Sequence, residues 1–494
     1  MGPVLYFRGL GRDHLQLAAL TALPDGEHPP ILTTDAAEVM PTCLASRLGQ
    51  SLWRYDFALP VGERAAAQTY AIGERSWRVH VPARAGGMRV AFTACNGVPF
   101  EEEDDRDPHR NERWRHLAVE HERNGFNLLL QGGDQLYADT IWPSVPSLDA
   151  WQRLTLEERI AAPFTAEMRE TTLDYYFDRY LGLWSQEELA PLLASIPSLM
   201  MWDDHDIFDG WGSYEADEQL CPVYQGIFAA ARATFAWFQF AAAPDDLPEG
   251  FGDPEGEHFG FAYRAGSVGV IVPDLRSQRA IDRIMGEDAK AWFAEALDRL
   301  APCRHVLFLS TVPLVYGDLA MFEGVAGIER LFAKLAAISR YQDDLRDQWR
   351  ALAHRAEWAD MARTLVGFTE RTGVPVTVVS GEIHLGAVGS IDAGDVRVHQ
   401  LTSSGVVSPP PPSPVSLLLE FLSRKVREGA PGISLSCHGF PGLGRRRYLR
   451  KRNWLELDLD AEGAVAAAWH AEDVATPYRL NLAGPERSSS KAAA

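Results

Sequence analysis

The chain has 494 residues, 46% of them hydrophobic, with 14 Trp and 22 Phe; this is enough for a large core and excludes global disorder. A net charge of −21, from 47 basic and 68 acidic residues, argues against a general nucleic-acid or anionic-membrane surface. Five scattered cysteines (Cys43, Cys95, Cys221, Cys303 and Cys437) with no CxxC pair exclude a disulfide framework, and no run reaches the about 18 apolar residues of a membrane span.

Residues 1 to 85 contain short alternating stretches, such as Val4-Leu5-Tyr6-Phe7, Leu52 to Phe57 and Trp77 to Val81, with Gly, Pro and Asp turns between them. They predict a small N-terminal β domain. Leu15 to Leu23 has a faint likeness to a signal core, but Gln16 and the mixed flanks argue against it. Together with the cysteine usage this gives a cytoplasmic expectation, with export to the periplasm or cell exterior as the alternative. From 86 to 470, strand-like runs alternate with helical stretches, the pattern of an α/β protein. Leu- and Glu-rich segments at 145–196 and 326–366 predict helical insertions. Glu101 to Asp105 reads as an exposed acidic loop, lacking the spacing and Gly of a calcium loop. Ser267 to Val272, His305 to Leu309, Val396 to Leu401 and Trp454 to Leu459 are further strands. Pro409 to Pro412 is a rigid break. The basic block Arg445 to Arg452 reads as a salt-bridged segment before a strand, or as an anion contact. Residues 480–494 predict a disordered tail.

Four apolar runs end in residues able to bind a metal ion. Met88 to Ala94 ends at Cys95-Asn96; Phe126 to Leu130 ends at Gly132-Gly133-Asp134-Gln135-Leu136-Tyr137. Ser198 to Trp202 ends at Asp203-Asp204-His205-Asp206; Val374 to Val379 ends at Ser380-Gly381-Glu382-Ile383-His384. Such runs read as buried strands, and ligands gather beyond the carboxyl ends of strands of this kind. The pattern therefore points to a dinuclear metal centre. Asp134 has two oxygens and can bridge two cations. Tyr137, one turn later, offers a phenolate that suits ferric iron. Cys95 standing alone would be a buried hydrophobe; a nearby cation would remove its proton. One N-cap cannot account for all the polar side chains of WDDHD. Glu382 and His384 alternate, so both reach one cluster only if the chain bends at Gly381. Asp209 to Tyr214 looks like a tight active-site loop.

In this order, TACN, GGDQLY, WDDHD, PDLRSQR and SGEIH resemble the alkaline phosphatase D (PhoD-like) family of the metallophosphoesterase superfamily, over residues 86–470. The resemblance implies a four-layer α/β sandwich of two mixed sheets flanked by helices, with a small N-terminal β domain. It implies hydrolysis of phosphomonoesters or phosphodiesters. Carried over by position, Cys95, Asp134, Tyr137 and His384 would hold Fe(III). Asp134 would bridge to a second cation near Asp203, Asp204 and Glu382, whose hard oxygens favour Ca, with Mn, Mg or Zn as alternatives. Asn96, Asp206 and Asp209 would stand behind these ligands. Two departures are visible: Glu382 replaces the usual Asp of SGDxH, and Phe308 to Pro313 lacks the superfamily's middle-strand histidine.

The expected mechanism is a two-metal, bridged-hydroxide attack on phosphorus. His205 would protonate the leaving group, its ring held by Asp206 or Asp203, while Arg276 and Arg279 grip phosphate oxygens or form a structural ion pair near Asp274. The rivals are a metal-dependent hydrolase of another ester and a silent binding or scaffold protein on the same fold. The expected partner is a small-molecule phosphate ester, with neither general nucleic-acid binding nor a membrane; the pattern leaves the natural substrate and oligomeric state open.

Overall fold

The computed structural model describes residues 1–98, 109–253, 256–317, 349 and 351–482. The acidic run Glu101 to Asp105 and most of the segment 326–366 lie outside them. Within that segment the described helix Arg355–Thr372 ends at Gly373, whose left-handed φ of 71° lets the chain turn back into the next strand.

Runs such as Leu128–Gly132, Ser198–Met201, Val268–Val272, His305–Ser310 and Val376–Ser380 are buried along their whole length. Their β-branched and Leu-rich sequences lack polar alternation because both faces are covered. Met88–Thr93, Leu128–Gly132 and Ser198–Met201 lie side by side and parallel, with Leu129 opposite both Ala91 and Ser198. A second parallel set joins Val268–Val272, His305–Ser310, Val376–Ser380 and Val396–Thr402. Helices such as Pro222–Gln239, Glu287–Arg299 and Arg355–Thr372 complete the mixed α/β architecture.

The first strand, Val4–Leu10, connects the two sets. It is parallel to Ser198–Met201 at Tyr6 and to Phe261–Ala265 at Leu10. Nineteen described strands are thereby one hydrogen-bonded system, so the two halves are positioned by a shared backbone ladder. They also touch directly. The Trp469 indole donates to the Thr402 carbonyl at 2.9 Å, and a Cβ on Gly381 would run into Ala94. Gly381 is thus a point of close approach between the two halves, as its place after the 376–380 strand suggests.

The N-terminal region is β-rich, and its strands Val4–Leu10, His14–Pro24, Thr42–Arg47 and Gln50–Pro60 belong to the large sheet. Leu15 to Leu23 lies inside the strand His14–Pro24, paired on one side with Val4–Leu10 and on the other with Gln50–Pro60. Only Leu32–Thr34, Glu38–Val39, Ala66–Ile72 and Arg75–Val81 form a sheet of their own. Of the tail expected over 480–494, residues 480–482 belong to the strand Tyr478–Leu482, which pairs with Val465–Ala471, and the others lie outside the described residues. Segment 145–196 is helical as expected, at Pro146–Gln152, Leu156–Ala161, Ala166–Trp184 and Ala190–Leu193. Among the described residues no helix is long and apolar enough to cross a membrane.

His305, at the start of a central strand, contributes a pH-dependent term to stability. Its Nδ1 donates to the Gly463 carbonyl at 2.9 Å, and its Nε2 accepts from the Thr377 hydroxyl at 2.9 Å. Both bonds suit the neutral ring, and burial pushes its pKa down to about 4. The unfolded chain therefore binds a proton near pH 6.5 that the folded chain does not. This contribution is complete above pH 6.5 and is lost as pH falls toward 4, by about 3 kcal/mol. Urea titrations of the wild type and His305→Gln between pH 7 and 4 should show a flatter pH dependence in the variant; equal slopes would reject the assignment.

Candidate metal centre

Four strand ends meet at one place. The Cys95 Sγ lies 3.5 Å from Asp134 Oδ2, and the Tyr137 hydroxyl lies 3.2 Å from His384 Nε2. Two serines tie these pairs together. The Ser404 Oγ is 3.0 Å from the Cys95 sulfur and accepts from the His384 N–H at 3.1 Å. The Ser408 Oγ is 3.0 Å from the Tyr137 hydroxyl and donates to the Cys95 carbonyl at 3.2 Å. The thiol thus lies against the carboxyl and the phenol against the imidazole, and the two serines link the pairs.

The backbone explains how residues on separate strands aim at one point. Eight non-glycine residues among those described have positive φ, and five are Cys95, Asp134, Tyr137, Glu382 and His384, at 58°, 56°, 50°, 65° and 50°. Left-handed backbone costs an L-residue about 1–2 kcal/mol, so its concentration here is a feature imposed by surrounding structure. Each such residue turns its side chain out of the strand's alternation. For Glu382 and His384 the bend required by the sequence is real: the Ile383 N–H closes onto the Gly381 carbonyl at 3.0 Å.

A second group adjoins the first. Asp134, Asp204 and His205 place one ligand atom each within 4.8 Å of one another. The Asp204 Oδ2 accepts from the Gly210 N–H at 2.8 Å. His205 stacks on Tyr137, with ring centroids 4.4 Å apart, and its Nδ1 is 2.8 Å from Asp139 Oδ2. Asp209, largely exposed, lies 3.9 Å from the other ring nitrogen.

Two expectations need correction. Asp206 does not hold the His205 ring; Asp139 does, from the turn after Tyr137. Asp206 is instead a backbone clamp. Its carboxylate accepts from the N–H groups of Asp134, Gln135, Leu136 and Asp203, at 2.9, 3.0, 3.0 and 3.0 Å. Nor does Arg276 face a substrate. Fully buried, it pairs through Nε with Asp203, reaches Asp204 Oδ1 at 3.3 Å, and donates to the Trp211 carbonyl at 3.1 Å. Asp203 is thereby occupied by Arg276. Asp274 accepts the Arg276 backbone N–H at 2.9 Å rather than its guanidinium. Arg279 is also buried, its stem lying where a side chain on Gly212 would stand.

Asn96 supports the centre by accepting from the Trp114 indole at 2.6 Å and donating to the Gln135 carbonyl at 3.4 Å. Glu382 presents its carbonyl to the Cys95 sulfur at 3.8 Å. Where a middle-strand histidine was missed, the structure has Thr311, whose carbonyl accepts from the Gly381 N–H at 3.1 Å. Asp139, Ser404, Ser408 and Thr311 were not singled out from sequence. The acid two residues after Tyr137 was a legible signal; the three hydroxyls had none.

The electrostatics match a site made for cations. The Asp134 Oδ1 is buried and has no hydrogen-bond partner among the described residues. Burial, then the charge of Asp203, pushes the Asp134 carboxyl up. Burial, then Asp134, does the same to the Cys95 thiol, and burial, then Cys95, to the Tyr137 phenol. Three acidic groups thus resist ionising together, and a bound cation reverses that resistance. Burial opposes a charged His205, but the Asp139 and Asp204 carboxylates prevail and hold its pKa well above the ordinary value.

Comparison with known proteins relates the chain to a phosphatase family and fold. Residues 100–341 match the family described as PhoD related phosphatase. An uncharacterised protein of Saccharomyces cerevisiae is 24% identical, across 82% of this chain and 70% of its own. The solved structure of PhoD superposes with a TM-score of 0.59 at 12% identity, covering 97% of this chain and 88% of that one. Purple acid phosphatase PPD1 from yellow lupin (Lupinus luteus) seeds superposes with a TM-score of 0.54 at 10% identity, covering 97% and 74%. The family match thus covers just under half of the chain, and the fold as a whole is similar to those of PhoD and purple acid phosphatase.

Because Asp206 satisfies four buried N–H groups, Asp206→Ala should cost about 3 kcal/mol or more in chemical denaturation. The same variant should lose bound metal even where it stays folded. Unchanged stability together with full metal content would show that the clamp is dispensable.

Proposed function

We propose that this protein is a PhoD-related phosphatase that hydrolyses phosphomonoesters or phosphodiesters at a two-cation centre. The observation that carries the reading is the pairing of Cys95 with Asp134 and of Tyr137 with His384 beside the Asp134–Asp204–His205 group, with all but His384 and His205 buried and one Asp134 oxygen unpartnered. Cys95, Tyr137, His384 and Asp134 would hold Fe(III), for which a phenolate and a thiolate are fitting donors. Asp134 would be shared with a second cation taken by Asp204 and Glu382, with His205 adjoining. Calcium suits that oxygen-rich set, and Mn, Mg or Zn are the alternatives. The cations would neutralise phosphoryl charge and lower the pKa of an attacking water.

The chain's own residues then do the following. Tyr137 and Asp139 fix His205 from two sides, one by ring stacking and one through Nδ1. That leaves Nε2 to deliver a proton to the leaving oxygen, a contribution of about 10²–10⁴-fold. Asp206 keeps Asp134 and the WDDHD turn in register, and Arg276 holds Asp203 and Asp204 beside them.

Iron-loaded protein should show a visible charge-transfer band that Tyr137→Phe bleaches. A colourless, fully metallated and active enzyme would reject the iron assignment. With aryl and bis-aryl phosphates as probes, Asp134→Asn should abolish turnover together with metal binding; turnover that persists without metal would reject the mechanism. Asp139→Asn should lower kcat by about 10–100-fold with little change in KM, whereas a change confined to KM would take Asp139 out of the proton-delivering unit.

A further inference from the structure

We propose that the helix Ser413–Leu422 and the cationic residues around it form a docking surface for an anionic phospholipid bilayer. The helix sequence, SPVSLLLEFL, contains a single charged residue. A helix apolar on every side is normally enclosed, but this one is enclosed on one face only. Ser416, Leu419 and Leu422 are buried, whereas Leu417 and Phe421, one turn apart, are 69% and 64% exposed. Val426, just beyond, is 68% exposed. Other exposed apolar side chains, such as Met40 and Leu220, have no such neighbours along the chain.

The charge around this face is reversed from that of the whole chain. Arg424 and Lys425 are exposed at the helix end, and the Arg424 guanidinium lies 5.8 Å from the Phe421 ring centroid. The basic block borders the same helix. Arg447 pairs with Glu420, the helix's only acid, at 3.3 Å, and the exposed Arg450 donates to the Pro411 carbonyl at 3.2 Å. Arg445 and Arg446 are exposed just before them, and Glu428 is the exposed acid in the adjoining strand. Farther along, Lys451 and Arg452 are taken up by Asp473 and Glu472 at 3.6 and 3.9 Å. The salt-bridge reading of the block therefore holds for Arg447, Lys451 and Arg452, while Arg445, Arg446 and Arg450 extend the positive rim.

Protruding Leu and Phe flanked by Arg and Lys suit an interface in which apolar side chains enter the acyl boundary and cations meet headgroup phosphates. With a net charge of −21, the molecule can approach such a surface only through a locally cationic face, which fixes its orientation. That face adjoins the centre, because the helix packs through Leu419 into a cluster with Leu385, against which Ile383, between Glu382 and His384, also packs.

The test is vesicle flotation of the full chain with phosphatidylcholine vesicles, with and without phosphatidylserine, at low and high salt. The wild type should float with phosphatidylserine vesicles and be released by salt. Leu417→Ser/Phe421→Ser and, separately, Arg424→Glu/Lys425→Glu should each lower the bound fraction by at least about tenfold. Both variants should keep wild-type hydrolysis of aryl phosphates, since none of these residues belongs to the metal centre. No flotation of the wild type, or equal flotation of wild type and variants, would overturn the proposal. So would a wild-type dimer that Leu417→Ser/Phe421→Ser converts to monomer without any vesicle binding, which would identify a second copy as the occupant. Loss of thermal stability without vesicle binding would mean that the chain covers this face itself. Flotation is read without catalysis, so an inactive protein that floats would count against the hydrolytic reading alone.

Discussion

The Asp206 carboxylate is the interaction on which the centre depends. Backbone N–H groups left exposed at strand ends must find acceptors when water is excluded. Here one side chain supplies acceptors for three consecutive groups after the 128–132 strand and one after the 198–201 strand. Two parallel neighbours are thus joined beyond their ladder, where regular pairing has stopped. Asp134, Tyr137 and His205 inherit their positions from that joint. The neighbouring Asp203–Arg276 pair performs a similar task with full charges, at a desolvation cost that only its further bonds to Trp211 and Asp204 make tolerable.

Holding the turns this firmly permits backbone that would otherwise relax. Five left-handed residues at the candidate centre represent about 5–10 kcal/mol of unfavourable conformation, comparable with the whole net stability of a typical domain. Such geometry persists only where packing and hydrogen bonds over-determine it. The glycines work with it. Gly133, at φ 99°, admits Asp203 and Thr311, whose carbons would lie 2.8 Å from an added Cβ, and Gly381 admits Ala94. The result is a centre with acidic donors already close together before a cation offsets their mutual repulsion.

Net charge, read as an average, gives an incomplete account of the surface. The total of −21 excludes a broadly cationic molecule, but screening over about 10 Å makes local composition decisive. Acids at 472 and 473 and at 420 neutralise part of the basic block by tertiary pairing. What remains exposed is concentrated beside an apolar helix face that the rest of the described chain leaves uncovered.

The strands and ligand types were legible from the chain alone, because a continuous apolar run followed by Gly, Asp or His reports both burial and its abrupt end. That was enough to place Cys95, Asp134, Tyr137 and His384 at one sheet edge and to expect a bend at Gly381. The sequence likewise showed a β-rich start, but not that Val4–Leu10 would ladder with strands some 190 and 255 residues later, since alternation fixes a strand's faces and not its neighbours. Only the tertiary structure decided which acid serves which base. Asp139 rather than Asp206 holds His205, and Asp203 rather than a phosphate holds Arg276. Such pairings depend on how loops from different strands cross and which rotamers that crossing allows, and residue spacing carries no record of either.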